Sequence, residues 1–395
     1  LYSFLNYRDR LHSCSRGAVK LPFFGEWKVT QGHNGRFTHK GDWQHAWDFE
    51  MVDENGKTYK NSGDYPEDYY CYNKSVLAPA DGTVEEVIND IDDNVIGQKN
   101  LAENWGNTVV IKHGDFFYTK LSHLKKGSIE VKPGDKVRTG DILGVCGNSG
   151  NSPYPHLHFQ IQETPYIGSK TLKHPLANYY SSEGSTEKNL VNSGIPEENE
   201  IVTNIKTHSS LKKAFDMVPG RIVEFQMENS DAESVIWEVK VDSSLNHYIE
   251  CRQTGSKAYF KNEHAMHHFL YFDGDRSSLL YKFYLSAYKV SLGFENGLIL
   301  HDTYPVHLVF NPNKIFIQDF IAPFHRYLNG VYTLNYPQQN TGIQSSELEL
   351  HGTTEKRRFG KVISEMSFLF LVDGKGLREF HFTDRNQKWV AICVR

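Results

Sequence analysis

The sequence predicts a mainly β protein of two successive β-rich domains. Three observations carry that reading. From Leu21 to Tyr180, apolar and polar residues alternate over short runs bounded by Asp-Gly and Pro-Gly-Asp turns. From residue 204 to 395 alternating runs return, now rich in aromatics. Between them lies a polar stretch without periodicity. A length of 395 residues also exceeds what one hydrophobic core ordinarily serves.

Residues 1–20 read as an N-terminal extension. Within 21–180 the clearest strand signals are Ser75-Val76-Leu77 with Gly82-Thr83-Val84, then Asn107 to Gly114, then Val131 to Val137. Helical periodicity is scarce there, so this part is expected to be a compact antiparallel β domain. Residues 181–203, from Ser181-Ser182-Glu183-Gly184 to Pro196-Glu197-Glu198-Asn199, have the composition of an exposed linker. In 204–395, runs such as Leu279-Leu280-Tyr281-Lys282-Phe283-Tyr284-Leu285 and Phe368-Leu369-Phe370-Leu371-Val372 suggest strands of a second β-rich domain, a sandwich or barrel.

Charge and composition exclude some classes. The formal net charge is −5 with Lys and Arg dispersed, which argues against nucleic acid as a partner. The cluster Lys356-Arg357-Arg358 reads as a solvated loop. No run approaches the roughly 20 apolar residues of a membrane-spanning helix. The chain opens at Leu1 without a signal-like start, so any export signal is expected to be removed or to lie outside the sequence. The five cysteines, Cys14, Cys71, Cys146, Cys251 and Cys393, form no Cys-x-x-Cys pair, which disfavours a thiolate zinc site. Their odd number leaves at least one thiol unpaired within the chain.

Three short motifs point to chemistry. In His156-Leu157-His158-Phe159, a strand would present His156 and His158 on one face, roughly 6.5–7 Å apart, with Leu157 and Phe159 in the core. An exposed pair on a solvated strand is the bland alternative. In Ala46-Trp47-Asp48-Phe49-Glu50, the Asp48 carboxylate stands between two aromatics, and Thr38-His39-Lys40-Gly41 lies upstream. Hydrolytic zinc takes three protein ligands, imidazole and carboxylate, and keeps an open position, as His39, Asp48 and His158 could provide. His123, in Leu121-Ser122-His123-Leu124, has a buried structural histidine as its default reading. His264-Ala265-Met266-His267-His268 lacks the glutamate of His-Glu-x-x-His and is expected to be a surface histidine cluster. The segment from Val131 to Asp141 also looks like a lipoyl-carrier hairpin, but it lacks the modified lysine at a tip.

Together these blocks resemble the lysostaphin-type zinc endopeptidases that cut peptidoglycan peptide bridges. The resemblance covers about residues 21–180 and rests on their order: a His…Asp-Phe element, Ala78-Pro79-Ala80-Asp81-Gly82-Thr83-Val84, Gly106 to Gly114, Leu121-Ser122-His123-Leu124, Val131-Lys132-Pro133-Gly134-Asp135, and Gly147-Asn148-Ser149-Gly150 before Pro155-His156-Leu157-His158-Phe159. It implies Zn2+ held by His39, Asp48 and His158, with His123 and His156 as catalytic histidines beside the metal. It also implies an open β-sheet with a long groove, and a cell-envelope location, periplasmic or extracellular. The substrate implied is a peptide bond in peptidoglycan cross-links or stem peptides; the C-terminal domain lies outside the resemblance, its role open, with docking of an envelope protein partner as one expectation.

Two departures from the family pattern bear on the site. Members commonly hold the first ligand within His-x-Gly-x-Asp, whereas here His39 lies further upstream, and His45 and His33 are alternatives. Residues 50–75 and 86–105 lengthen connections that are short in minimal members, either as groove walls or as surface decoration. A non-catalytic envelope scaffold or activator with the same fold is the alternative to an enzyme.

Overall fold

The computed structural model describes residues 18–183, 188–228, 233–263, 265–310, 314–316, 318, 327–337, 347–384 and 387–394. The chain divides into two compact units, Leu1–Asn204 and Ile205–Arg395. Both are mostly β-structure, as the alternation of the sequence implies.

The first unit contains strands β1 (Glu26–Gln31), β2 (Ala46–Glu50), β3 (Ser75–Leu77), β4 (Gly82–Ile88), β5 (Asn107–Gly114) and β6 (Phe117–Leu124). It continues with β7 (Lys136–Val137), β8 (Ile142–Val145), β9 (Leu157–Gln162), β10 (Leu176–Ser182), β11 (Asn189–Gly194) and β12 (Ile201–Asn204). Ten of these form one antiparallel sheet, in the order β11-β10-β12-β1-β2-β9-β6-β5-β4-β7, and β3 pairs with β8 in a separate ribbon. The pleat sorts the side chains of the central strands. Trp47 and Phe49 of β2 and Leu157, Phe159 and Ile161 of β9 enter one core and are fully buried. Burial of an aliphatic or Phe side chain of this kind stabilises by about 1.5–3 kcal/mol. Asp48, His158 and Gln160 necessarily point to the opposite face. The register then fixes their neighbours: Gln31 lies opposite Asp48, Asp48 opposite His158, and His158 opposite Ser122.

Several expectations are corrected here. Residues 181–203 are not a free linker, because β11 and β12 pair within the first sheet and the division falls after Asn204. The polar composition misleads since β11 is an edge strand with no buried residue, whereas Val202 of β12 is fully buried. The extension is also shorter than 20 residues: Val19 is fully buried and accepts a hydrogen bond from Ala177 N, while residues 1–17 lie outside the described chain. The expected strand from Val131 to Val137 contracts to β7, preceded by the turn at Pro133-Gly134.

The second unit has strands β13 (Ile222–Met227), β14 (Val235–Val241), β15 (His247–Cys251), β16 (Lys257–Glu263), β17 (Met266–Asp273) and β18 (Lys289–Ser291). After these come β19 (Ile299–Tyr304), β20 (Leu328–Asn335), β21 (Leu348–Arg358), β22 (Lys361–Asp373), β23 (Gly376–Asp384) and β24 (Gln387–Cys393). All twelve form one antiparallel sheet, ordered β18-β17-β16-β15-β14-β13-β24-β23-β22-β21-β20-β19. The run Leu279 to Leu285 is not a strand but part of the α-helix Leu279–Ser286. Ser278 caps it by accepting from Tyr281 N, and its residues are buried nearly all round, so the run carries no strand-like alternation that packing would select. Phe283 from this helix packs on Phe370 and Phe380 of the sheet at 5.7 and 5.5 Å between ring centroids.

The expected surface histidine cluster is also corrected. His264 lies outside the described residues, and His267 on β17 is fully buried with Nδ1 2.7 Å from Asn262 Oδ1. Alternation along β17 turns His267 inward and leaves the neighbouring His268 partly exposed.

Candidate metal centre

One face of β2 and β9, with the loop before the short 3-10 helix Gly41–Trp43, gathers His39, Asp48 and His158. One potential ligand atom from each lies within 4.8 Å of the others. Asp48 Oδ1 is 2.9 Å from His158 Nδ1 and 3.3 Å from His39 Nε2, and His156 Nε2 stands 3.9 Å from the same oxygen. All three members of the group are buried. His45 does not join them: its ring packs 5.0 Å from that of His33, which in turn lies on Trp47.

The hydrogen bonds around the group decide which nitrogens are free. His39 Nδ1 faces the Gly32 carbonyl at 2.9 Å and donates to it, which leaves a lone pair on Nε2. His158 Nε2 faces Gln160 Oε1 at 3.0 Å, so it carries the proton and Nδ1 carries the lone pair. The Gln160 orientation is set in turn, because its amide nitrogen donates to Gln162 Oε1 and to the Ser169 carbonyl. With both rings neutral, their lone pairs face a carboxylate oxygen, and His39 Nε2 has no hydrogen-bond partner of its own. Acceptors facing acceptors in a buried site repel unless a proton or a cation lies between them.

The electrostatics agree with that need. Burial alone would raise the Asp48 carboxyl, but the charge of His39, the close contacts with His158 and His39, and the charge of His156 hold it well below the usual carboxylate range. Burial lowers His39, yet the Asp48 carboxylate outweighs it and the net shift is upward. His158 is pushed down to about 4, first by burial, against the pull of Asp48.

Two further histidines flank the group. His123 Nδ1 donates to the Ser149 carbonyl at 2.8 Å, and His156 Nδ1 donates to the Tyr154 carbonyl at 2.9 Å. Their rings lie 4.7 Å apart, and each leaves Nε2 unclaimed by the backbone. Burial, then the charges of His156 and His158, push His123 well below its ordinary range and keep it neutral. His123 also has φ of 65°, an unusual conformation for a residue with a side chain, at the end of β6. The close approach of Gly106 to Ser149 supports it: a Cβ at Gly106 would collide with the Ser149 backbone that receives the His123 proton.

Some functional candidates had no strong signal in the sequence. Gln31 Nε2 donates to Asp48 Oδ2 at 2.7 Å, while Gln31 Oε1 accepts from Phe37 N and Thr38 N at 2.7 and 3.0 Å. It thereby ties the carboxylate to the loop that carries His39. Gln160 was legible in principle, as the next same-face residue after His156 and His158. Trp43 and Trp105 meet edge-on at 5.3 Å, and Trp105 lies 5.3 Å from His158, forming one wall of the cleft. Lys120 lies behind that wall, fully buried, with Nζ 2.8 Å from the centre of the Trp105 ring and its amine pushed well down by burial. Lys99, Asn104 and Trp105 line the cleft, so the 86–105 insertion contributes to its wall. The 50–75 insertion lies beneath the opposite side, where Tyr69 stacks on Tyr154 and Cys71 bonds the Pro155 carbonyl.

Comparison with known proteins adds a family. Residues 68–170 match the model of Peptidase family M23, a span that includes His123, His156 and His158 but not His39 or Asp48. An uncharacterized metalloprotease of Buchnera aphidicola subsp. Baizongia pistaciae is 43% identical over 84 residues, 21% of this chain and 22% of that one. The peptidoglycan DD-endopeptidase ShyA of Vibrio cholerae is 46% identical over 56 residues, 14% of this chain and 13% of its own. The chain thus spans less than a quarter of the length of either relative. Among solved structures, the catalytic domain of the prophage-encoded M23 protein EnpA from Enterococcus faecalis aligns with 40% of this chain and 95% of its own, at 23% identity and a TM-score of 0.26. Residues 68–170 of this chain are a domain of Peptidase family M23.

Proposed function

We propose that the chain is a zinc-dependent endopeptidase of the cell envelope that hydrolyses peptide bonds in peptidoglycan. The observation that carries this is the convergence of three buried potential ligand atoms, His39 Nε2, Asp48 Oδ1 and His158 Nδ1, around a point that could hold a metal ion. Two imidazoles and one carboxylate suit hydrolytic zinc. Gly32 O, Gln160 Oε1 and Gln31 Nε2 orient the three ligands from behind. When bound, zinc supplies a Lewis acid that acidifies water and polarises a carbonyl.

The chain's own groups do the rest. The exposed side of the cleft, between Trp43, Trp105 and Tyr154, accommodates an extended peptide. His123 and His156, with Nδ1 anchored on backbone carbonyls, present basic Nε2 atoms beside the ligand group. One takes a proton from water, and the protonated form donates to the developing oxyanion or to the leaving amine. ShyA, named as a peptidoglycan DD-endopeptidase, supports the choice of substrate class.

The test uses the purified full chain. One zinc per chain is expected, with release of free amines from purified peptidoglycan that a chelator stops and added zinc restores. Stoichiometric zinc with intact peptidoglycan would point instead to the scaffold or activator role. Gln160→Leu removes the acceptor that fixes the His158 tautomer while preserving side-chain size. Zinc affinity is expected to fall about 10–100-fold in competition titration with a chromophoric chelator. An unchanged affinity would show that the Gln160 contact does not orient the ligand.

A further inference from the structure

Two cysteines of the first unit are placed differently from the rest. Cys71 follows the 3-10 helix Pro66–Asp68, and Cys146 follows β8; both are fully buried. The backbone brings them together, since Asn73 N donates to the Cys146 carbonyl at 2.9 Å and Cys146 N donates to the Lys74 carbonyl at 2.8 Å. Cys71 Sγ donates to the Pro155 carbonyl at 3.1 Å and Cys146 Sγ to the Gly147 carbonyl at 3.9 Å, and beside burial the Cys71 thiol helps to push the Cys146 thiol up. A cysteine that only fills a core packs against carbon and needs no sulfur partner. Here a backbone pairing already holds the two cysteine-bearing segments side by side.

The other described cysteines provide the contrast. Cys251 on β15 and Cys393 on β24 are separated by β14 and β13. Three strand spacings amount to about 14 Å, twice the Cα separation a disulfide can span. Cys71 and Cys146, by contrast, lie on segments that are hydrogen-bonded to each other through the backbone.

We infer that Cys71 and Cys146 form a dithiol–disulfide site whose bond staples the loop following Pro66–Asp68 to the segment leading toward His156. The co-reactant is a disulfide, either a small molecule such as oxidised glutathione or a protein of the dithiol-oxidoreductase class. One thiol of the pair, as thiolate, attacks it and releases one thiol, forming a mixed disulfide. The second thiolate displaces the other half, so two cysteines are oxidised, two protons leave, and the donor is reduced to two thiols. Burial raises the Cys146 thiol, so exchange proceeds during folding or through local opening rather than on the closed surface. Closing the bond removes the S–H that Pro155 accepts, one residue before His156.

The experiment maps thiols in the full, unmutated chain. The protein is reduced, freed of reductant, equilibrated with oxidised and reduced glutathione, acid-quenched, alkylated under denaturing conditions and digested. The expected product is a single linked peptide joining Cys71 to Cys146, with Cys251 and Cys393 alkylated. The midpoint of thermal unfolding should rise by about 5–10 °C on oxidation and return with dithiothreitol. In Cys146→Ser neither the linked peptide nor the rise should form. Alkylation of both Cys71 and Cys146 in the oxidised sample, or their linkage to other cysteines or to glutathione alone, would overturn the assignment. Because mapping is done on the unmutated chain, a variant that fails to fold does not decide the outcome.

Discussion

Asp48→Ala is expected to lose bound zinc and peptidase activity together, the largest single effect in the molecule. The carboxylate is the shared partner of three imidazoles, at 2.9 Å from His158, 3.3 Å from His39 and 3.9 Å from His156. Its removal leaves two neutral donors where hydrolytic zinc takes three protein ligands. Losing a ligand outright exceeds the roughly 10–100-fold cost of losing an outer partner, so zinc should be absent after dialysis at micromolar protein. Activity should fall at least about 10³-fold, in line with loss of the group that supplies the electrostatic stabilisation. Asp48→Asn is the informative companion, because it preserves volume but carries no charge. It should retain the fold by circular dichroism and bind zinc far more weakly. Full zinc occupancy and full activity in Asp48→Ala, by elemental analysis and amine release, would refute the ligand assignment.

Much of the first unit was legible because its pattern is strictly local. Alternation in Ala46-Trp47-Asp48-Phe49 and in His156-Leu157-His158-Phe159 by itself separates core from site residues, and the register sets Asp48 opposite His158. His39 was less legible. Its place beside Asp48 depends on a loop bound by Gln31 and Gly32, contacts that no spacing rule encodes. Trp105 and Lys120 were invisible for a related reason: one lies in an insertion and the other is a charged residue type in a fully buried position. The composition of 181–203 misled because an edge strand can be polar on most of its surface and still belong to a sheet. The run from Leu279 to Leu285 misled because a helix buried nearly all round carries no period that distinguishes it from a buried strand.

His156→Ala should abolish turnover while leaving zinc bound, the opposite dissociation from Asp48→Ala. His156 has a hydrogen bond to the Tyr154 carbonyl and no lone pair committed to the three-ligand group, so its loss leaves His39, Asp48 and His158 in place. A positioned acid–base group contributes about 10²–10⁴-fold, and that is the expected fall in kcat. The partner experiment on His123 needs more care, since its φ of 65° makes alanine a strained replacement whatever its chemistry. Asparagine tolerates that conformation and can donate to the Ser149 carbonyl as the imidazole does, but it has no basic nitrogen. His123→Asn should therefore fold, retain zinc and lose activity to a similar degree. If both rings serve one proton path, the double variant His123→Asn/His156→Ala should be little worse than either alone, as groups acting as a unit are strongly non-additive. If their losses multiply, the two histidines serve separate steps, one accepting the water's proton and the other stabilising the oxyanion. Retained turnover in both single variants would leave the flanking histidines as structural groups and remove them from the mechanism.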